Sequence, residues 1–343
     1  MNMKYKAYLC SFLLTFPILG KASAEADSLR QIQISRLQEQ VNWVNPEAIR
    51  AYLDDTKSSL GDKATGLYQK LEELETLLPR VNRHLSEDTT RQTIAEAEKL
   101  LALKREIILA NPLLDVDKIL IARYRLGNKA RKAMGPSLGT SVANYNSLFS
   151  SRRKGYDAEI SQLSNLRGDI QSKTIYKPEA DVPISDIQLH WDADRLLFSS
   201  LNENRQWQIY EINTDGTGLH QKVVVDEPDL EFCDANYLPD GKVVATCNIG
   251  YNGVPCVHGD DVVANLVSYD PETKNIHRLT FDQDGNWAPI VIPNGRLMYT
   301  RWEYTDLTHY FSRIVMHMNP DGTENKALYG SGSYFPNSTF DMK

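Results

Sequence analysis

Two spacings of apolar residues divide this chain. From about Asp27 to Ala110 they return every three or four positions, the spacing of one helix face. Asn45-Pro46 predicts a helix start, because asparagine caps free amide groups and proline already has the helical φ; Gly61 offers a stop. Leu67, Leu71, Leu74 and Leu78 then fall on one face of a second helix, expected to end at Pro79. A third is predicted from Asp88 or Thr89 through Ile94, Leu101 and Ile108, ending before Asn111-Pro112, since the residue before proline disfavours the helical conformation. The leucine stripes predict a helix-bundle seam, and the Glu and Lys between them a solvated face.

At Leu113 the spacing changes. The run from Leu114 to Tyr124 ends in β-type residues, and Ala158 to Leu163 and Ser172 to Tyr176 read as the strands that complete a sheet with Ile119 to Tyr124. Between them, Gly127 to Ser151 is rich in Gly, Ser and Asn and lacks either periodicity, which marks a long functional or mobile loop. Downstream, three stretches repeat one pattern: Trp191 to Phe198, Leu238 to Ala245 and Ile292 to Tyr299 each join a tight turn to a short apolar run, and each predicts a hairpin. Asp215-Gly216-Thr217-Gly218, Asp270-Pro271-Glu272-Thr273 and Asp321-Gly322-Thr323 supply a second turn to each copy. A repeat of about 40–55 residues carrying about four strands is the signature of a β-propeller blade. The expected fold class is therefore α+β by domain: a helical region over 25–112, then an antiparallel β-propeller over 113–343 with blades opening at Ile119, Ile184, Phe232 and Trp287. Ser333 to Ser338 reads as the opening of another blade, so the ring is expected to be incomplete and the chain a fragment of a longer protein.

The first residues change the picture of where the chain works. Lys4 and Lys6 precede an apolar run, Ala7 to Leu19, too short to cross a bilayer as a helix, and Ala22-Ser23-Ala24 offers small residues to a signal peptidase. Residues 1–24 read as a cleaved secretory signal, and the periplasm or exterior as the destination, with no membrane span after cleavage. Cys10 follows Ala7-Tyr8-Leu9, a poor match to a lipoprotein cleavage site. The net charge of −7 argues against a nucleic-acid surface.

Candidate chemistry is sparse. Cys233, Cys247 and Cys256 remain in an oxidising compartment; Cys247 is expected to bridge to Cys233 across a hairpin or to Cys256 across a Gly-containing loop, leaving one thiol over. Cys256, His258, Asp260 and Asp261 form the tightest set of metal-ligand types, and thiolate with imidazole suits zinc or copper, although the spacing matches no standard zinc pattern. Arg301, Glu303, Tyr304, Asp306 and His309 place an acid, a base and a histidine on and after one strand, a set able to bind a polar ligand or move a proton at the propeller mouth. The competing structural reading pairs Arg301 and Glu303 with charges of neighbouring blades and buries Trp302 and Tyr304. No Gly-rich phosphate loop, Gly-x-Ser-x-Gly elbow or His-Glu-x-x-His helix occurs.

Gly253-Val254-Pro255-Cys256-Val257-His258-Gly259, the run from Arg301 to Arg313, Asn111-Pro112-Leu113-Leu114-Asp115 and His317-Met318-Asn319-Pro320-Asp321-Gly322 together resemble the hydrazine synthase alpha-subunit-related proteins. That resemblance, over roughly Pro46 to the end, implies a secreted or periplasmic TolB-type propeller. The family's Cys-x-x-Cys-His haem-attachment motif is missing from this chain, so the resemblance leaves the cofactor unknown, with a metal ion as one candidate.

The expected function is thus a periplasmic scaffold that binds a small molecule, glycan or protein partner at its propeller face. The alternative is a metal- or haem-dependent redox enzyme subunit whose catalytic segment lies beyond residue 343. Mass spectrometry of the exported protein is expected to find the mature N-terminus at or near Glu25; a cytoplasmic chain retaining Met1 would refute the export reading.

Overall fold

The computed structural model describes residues 30–87, 90–126, 149, 151, 153–254, 259, 262–302, 312–332, 335, 338 and 339. The export signal read at residues 1–24 and most of the 127–151 loop lie outside the described residues. The chain divides into two units: Met1–Asp117 with Asn165–Asp169, and Lys118–Ser164 with Ile170–Lys343.

The first unit holds α1 (residues 30–42), α2 (Pro46–Leu60), α3 (Lys63–Glu87) and α4 (Arg91–Leu109). Asn45 starts α2 as expected, its Oδ1 accepting from the Ala48 amide at 3.1 Å. Gly61 ends it at φ 55°, a conformation glycine adopts without steric cost, and its amide donates to Lys57 O. Thr90 caps α4, its Oγ1 accepting from the Thr93 amide, so this helix begins just past the expected Asp88 or Thr89. Two expectations need correction. Helix α3 does not end at Pro79 but continues to Glu87. An internal proline costs about 3 kcal/mol, and here Leu77, Val81 and Leu85 are buried on both sides of it, each contributing about 1.5–3 kcal/mol of apolar burial that offsets the lost hydrogen bond. The seam is also set one position away in places: Leu77 rather than Leu78, and Leu100 with Leu103 rather than Leu101, are buried beside Leu53, Leu71 and Leu74.

The second unit is built from four antiparallel sheets. The first is β1 (Lys118–Leu126), β2 (Tyr156–Ser164) and β3 (Gln171–Tyr176). The second is β4 (Ile184–Leu189), β5 (Arg195–Leu201), β6 (Trp207–Asn213) and β7 (His220–Gln221). The third is β8 (Phe232–Tyr237), β9 (Val243–Cys247), β10 (Asn265–Asp270) and β11 (Asn275–Arg278). The fourth is β12 (Asn286–Val291), β13 (Leu297–Trp302), β14 (Arg313–Met318) and β15 (Lys326–Tyr329). Each is a simple meander, opening close to the positions the repeat predicts, and among the described residues the sheets form no closed ring.

The repeated turns do repeat in hydrogen bonding. In the β8–β9 turn Leu238 N donates to Lys242 O and Gly241 N to Leu238 O; in the β12–β13 turn Ile292 N donates to Arg296 O and Gly295 N to Ile292 O. The β4–β5 turn has one residue more, with His190 N reaching Arg195 O and Ala193 N reaching His190 O. At the later turns Asp215 and Asp321 each accept from a threonine amide and hydroxyl, Thr217 at 2.8 and 2.7 Å and Thr323 at 3.0 and 2.7 Å. These bonds hold both carboxyls below the usual carboxylate range.

The first strand of each four-stranded sheet is kinked at one place. The register slips between Ser185 and Gln188, between Cys233 and Asn236, and between Trp287 and Ile290. At the slip Asp186, Asp234 and Ala288 take φ of 51°, 54° and 53°. These are β-bulges, and each inserts an extra residue whose amide leaves the ladder. Two of those amides are taken up by the preceding sheet: Asp234 N donates to Ser199 Oγ at 3.1 Å, and Ala288 N to Asp234 Oδ2 at 3.4 Å. Apolar layers complete the packing. Tyr156, Ile160, Ile175, Leu196 and Phe198 share a core between the first two sheets; Leu197, Ile209, Val243 and Val267 one between the second and third; Val244, Leu266, Leu297 and Tyr299 one between the third and fourth.

Of the two bridges expected for Cys247, the one to Cys233 is not made, and Cys256, the other expected partner, lies outside the described residues. Cys247 stands opposite Phe232 and Cys233 opposite Thr246, so the two thiols are one step out of register and point to opposite faces of the sheet, a geometry that forbids a bond. Both are buried and free. Burial pushes the Cys247 thiol up to about 12, and burial together with Asp234 and Asp186 pushes Cys233 well up. Alkylation of the native protein at pH 8, followed by peptide mapping, is expected to leave Cys233 and Cys247 unlabelled until denaturant is added. Ready labelling of either in the folded state, or a Cys233–Cys247 linked peptide, would contradict this packing.

Candidate functional site

The β1–β2 and β5–β6 connections meet on one face, and the β9–β10 and β13–β14 connections are their counterparts in the third and fourth sheets. Arg153, at the end of the β1–β2 connection, and Arg205, in the β5–β6 connection, donate to each other's carbonyls at 2.6 and 2.8 Å. Arg153 also grips Glu231 with both terminal nitrogens, at 2.7 and 3.0 Å, and Glu231 accepts from the Trp207 amide at 2.7 Å. The guanidinium and a backbone amide thus neutralise a carboxylate where the second and third sheets meet.

Both candidate groups read from sequence belong to these connections. Cys256, His258, Asp260 and Asp261 lie in the one between β9 and β10, and Glu303, Tyr304, Asp306 and His309 in the one between β13 and β14; all of them lie outside the described residues. The base of the first is visible. Gly253 bridges to Val262, and Gly259 N donates to Val254 O at 3.1 Å. A Cβ on Gly253 would stand 2.6 Å from Gly259 Cα, so Gly253 is needed for this close approach, while Gly259 sits at φ 81°, a conformation that glycine adopts without steric cost.

Arg301 is described, near the end of β13. Its Nη2 pairs with Asp282 Oδ1 at 2.7 Å, both side chains largely buried, and Asn286 Nδ2 donates to Asp282 Oδ2 at 2.9 Å. The Asn286 amide in turn donates to Ala264 O, which joins the third and fourth sheets beside Asn265. Several buried polar atoms at these strand ends have no hydrogen-bond partner: Asn286 Oδ1 and Asn265 Nδ2, and, on the other face of the fourth sheet from Arg301 and Asn286, Thr300 Oγ1 and Trp287 Nε1. A buried unmet polar atom costs about 1–3 kcal/mol, and four on neighbouring strand ends concentrate that cost at one corner of the molecule. Next to them Arg313, 1% exposed, lies 4.8 Å from the Trp302 ring centroid and 5.7 Å from that of Trp287, with its Nη1 on Ser312 O. This corner offers amide, hydroxyl and indole groups with two guanidinium groups close by.

Solved structures that resemble parts of the chain include the following three. Hydrazine synthase from Kuenenia stuttgartiensis matches at TM-score 0.46 and 15% identity over 62% of this chain and 32% of the other. TolB from Acinetobacter baumannii matches at 0.39 and 14% over 69% and 59%, and an oligogalacturonate lyase solved in complex with manganese at 0.39 and 13% over 66% and 54%. The chain therefore spans less than two thirds of each of these proteins. No family model and no curated protein matches it. Likenesses of this size leave the fold resting on the chain's own sheets.

The opposite face presents a geometric metal cluster, His190, Asp192 and Asp194, whose ligand atoms lie within 4.8 Å of one another. Its positive charge is already supplied by protein. Arg195 Nη1 donates to both Asp194 oxygens at 2.9 and 3.0 Å, its Nη2 stands 2.6 Å from His190 Nε2, and the Asp192 amide donates to His190 Nδ1. A cation there would have to displace the guanidinium, so this cluster is an internal ion-pair network.

Sequence reasoning singled out Arg301 but not Asp282, Asn286, Asn265 or Arg313. The polar run Asp282-Gln283-Asp284-Gly285-Asn286 just before a strand was the available signal. A double-mutant cycle of Asp282→Ala and Arg301→Ala, followed by urea unfolding, is expected to give a coupling of about 1–3 kcal/mol. The exposed Lys177–Asp157 pair serves as the control, and its coupling is expected to be below about 1 kcal/mol. Equal couplings would mean that the Arg301 pair is no more than a surface contact.

Proposed function

We propose that the chain is a periplasmic binding scaffold, its sheets successive blades of an incomplete TolB-like propeller, which holds a small polar molecule, glycan or peptide at the end of the fourth sheet, where Trp287, Thr300 and Arg313 share one face. The observation that carries this reading is the group of buried polar atoms left without partners on adjacent strand ends. A protein gains nothing in stability from such atoms, and they become favourable when a ligand meets them. The likeness to hydrazine synthase-related sequences adds the export reading and the scaffold. The sequence candidates Glu303, Tyr304, Asp306 and His309 follow Trp302 directly and would form the mouth of the same site. Cys256, His258 and Asp260 stay the candidate metal ligands of this reading.

Thr300→Val separates ligand binding from folding. Replacing a buried, unpartnered hydroxyl by a methyl group removes a desolvation cost of about 1 kcal/mol, so Tm is expected to hold or rise. Screened by thermal shift against sugars, small carboxylates and short peptides, the native protein should be stabilised by at least one class, and the variant should lose that stabilisation. A lowered Tm in Thr300→Val, or no stabilisation by any class, would overturn the reading. Stoichiometric haem or metal in the exported protein would favour the redox subunit instead.

A further inference from the structure

The end of the third sheet gathers hydrogen-bond donors on the face turned toward the second sheet. Asn265 opens β10 opposite Cys247, and Arg278 ends β11 opposite Val267, so both side chains leave the sheet on the face of Cys247 and Val267. That face packs on Leu197 and Ile209 of the second sheet. Asn265 is fully buried. The Leu266 amide donates to Thr280 Oγ1 at 2.9 Å, which leaves the hydroxyl hydrogen for Asn265 Oδ1 at 3.3 Å. The carboxamide is thereby oriented, and its Nδ2 has no hydrogen-bond partner among the described residues.

Gly250, in the connection after β9, shows where that Nδ2 points. A Cβ placed on Gly250 would have as its three nearest described heavy atoms Arg278 Nη2 at 3.5 Å, Asn252 Nδ2 at 3.5 Å and Asn265 Nδ2 at 3.6 Å. All three are N–H donors, and they come from three different residues. Arg278 is held in this pose: its Nε donates to Thr280 O at 2.8 Å, and its guanidinium carbon lies 4.7 Å from the centre of the Phe281 ring. A space bordered by a fixed guanidinium and two carboxamide nitrogens, one of them buried and unmet, fits an anionic oxygen. The charge nearby narrows the choice. Burial first, then the charges of Glu227 and Asp229, raise the hydroxyl pKa of Tyr251, the residue after Gly250, so two acids stand close to the rim. Their field opposes a dianion more than a single carboxylate.

We propose that Asn265, Arg278 and Asn252 form a binding site for one carboxylate group of a small ligand, seated over Gly250. The site belongs to the third sheet and is independent of the fourth-sheet reading above.

The probes are N-acetylglycine and glucuronate, which carry a carboxylate on a peptide-like and on a sugar frame. N-acetylglycinamide, glucose and inorganic phosphate are their counterparts. In amide-resolved NMR spectra of the whole protein, the Asn265 side-chain signal is expected to shift saturably with at least one carboxylate and not with its neutral counterpart. The frame that responds identifies the source of the carboxylate. Gly250 has no positive φ, and the contacts of a methyl group there, at 3.5–3.6 Å, are ordinary. Gly250→Ala is therefore expected to keep its Tm while losing at least about tenfold in affinity, because the methyl group fills the seat. Arg278→Gln should lose at least about tenfold as well, and it decides the matter if Gly250→Ala lowers Tm. Any of four results would overturn the proposal. These are no response at Asn265 to either carboxylate, an equal response to the neutral counterpart, tighter binding of phosphate than of both carboxylates, and native affinity in either folded variant. Failure here with an intact Thr300→Val response would leave the fourth-sheet reading standing, and the converse also holds.

Discussion

The arrangement of the sheets depends on a displaced backbone amide. A bulge at the same position in β4, β8 and β12 turns one residue to positive φ and takes its N–H out of the ladder. A buried amide must find an acceptor, and for Asp234 and Ala288 that acceptor is a side chain of the sheet before: Ser199 Oγ and Asp234 Oδ2. Asp234 is thus bound on both sides, its amide by the second sheet and its carboxylate, which also accepts from Thr246 Oγ1 at 3.1 Å, reaching the fourth. Apolar burial between the sheets supplies most of the stabilisation, but it is non-directional. The bulge bonds fix how far one sheet slides along the next.

That registration places the candidate site. Once β12 is set against β8 by the Ala288 bond, Asn286 N meets Ala264 O, and the polar ends of the third and fourth sheets come together around Asp282 and Arg301. Arg153 likewise meets Arg205 and Glu231, so the β1–β2 and β5–β6 connections and the start of β8 share one face. The site is therefore a consequence of stacking similar units, and its particular chemistry comes from residues that the repeat does not constrain.

Much of this was legible in the chain. Turn chemistry marked the hairpins because Asp, Asn and Gly act locally, within the few residues whose hydrogen bonds they make. Blade starts at Ile184 and Phe232 followed from those turns. Local signals misled where tertiary packing outweighed them: Pro79 is tolerated because Leu77, Val81 and Leu85 are buried around it. The Cys233–Cys247 pairing failed for a related reason. Turn positions suggest which residues stand opposite, but the bulge at Asp234 adds a residue to one arm, and a single step of register moves a side chain to the other face. The polar corner was the least legible part. Asn265 opens β10, Asn286 opens β12 and Asp282 lies in the connection before β12, and the spacing of Asn265 to the other two does not announce that backbone bonds between sheets will gather them.

Native-state hydrogen exchange at single-residue resolution tests the bulge bonds most directly. If the amides of Asp234 and Ala288 are held by the neighbouring sheet, they should exchange only through global unfolding, with the same free energy as the central residues of β9, and Asp234→Ala should release Ala288 while leaving the β9 amides protected. Rapid exchange at Asp234 and Ala288 in the native protein would show that the bulges are not tied across the sheets, and that apolar packing alone sets their registration.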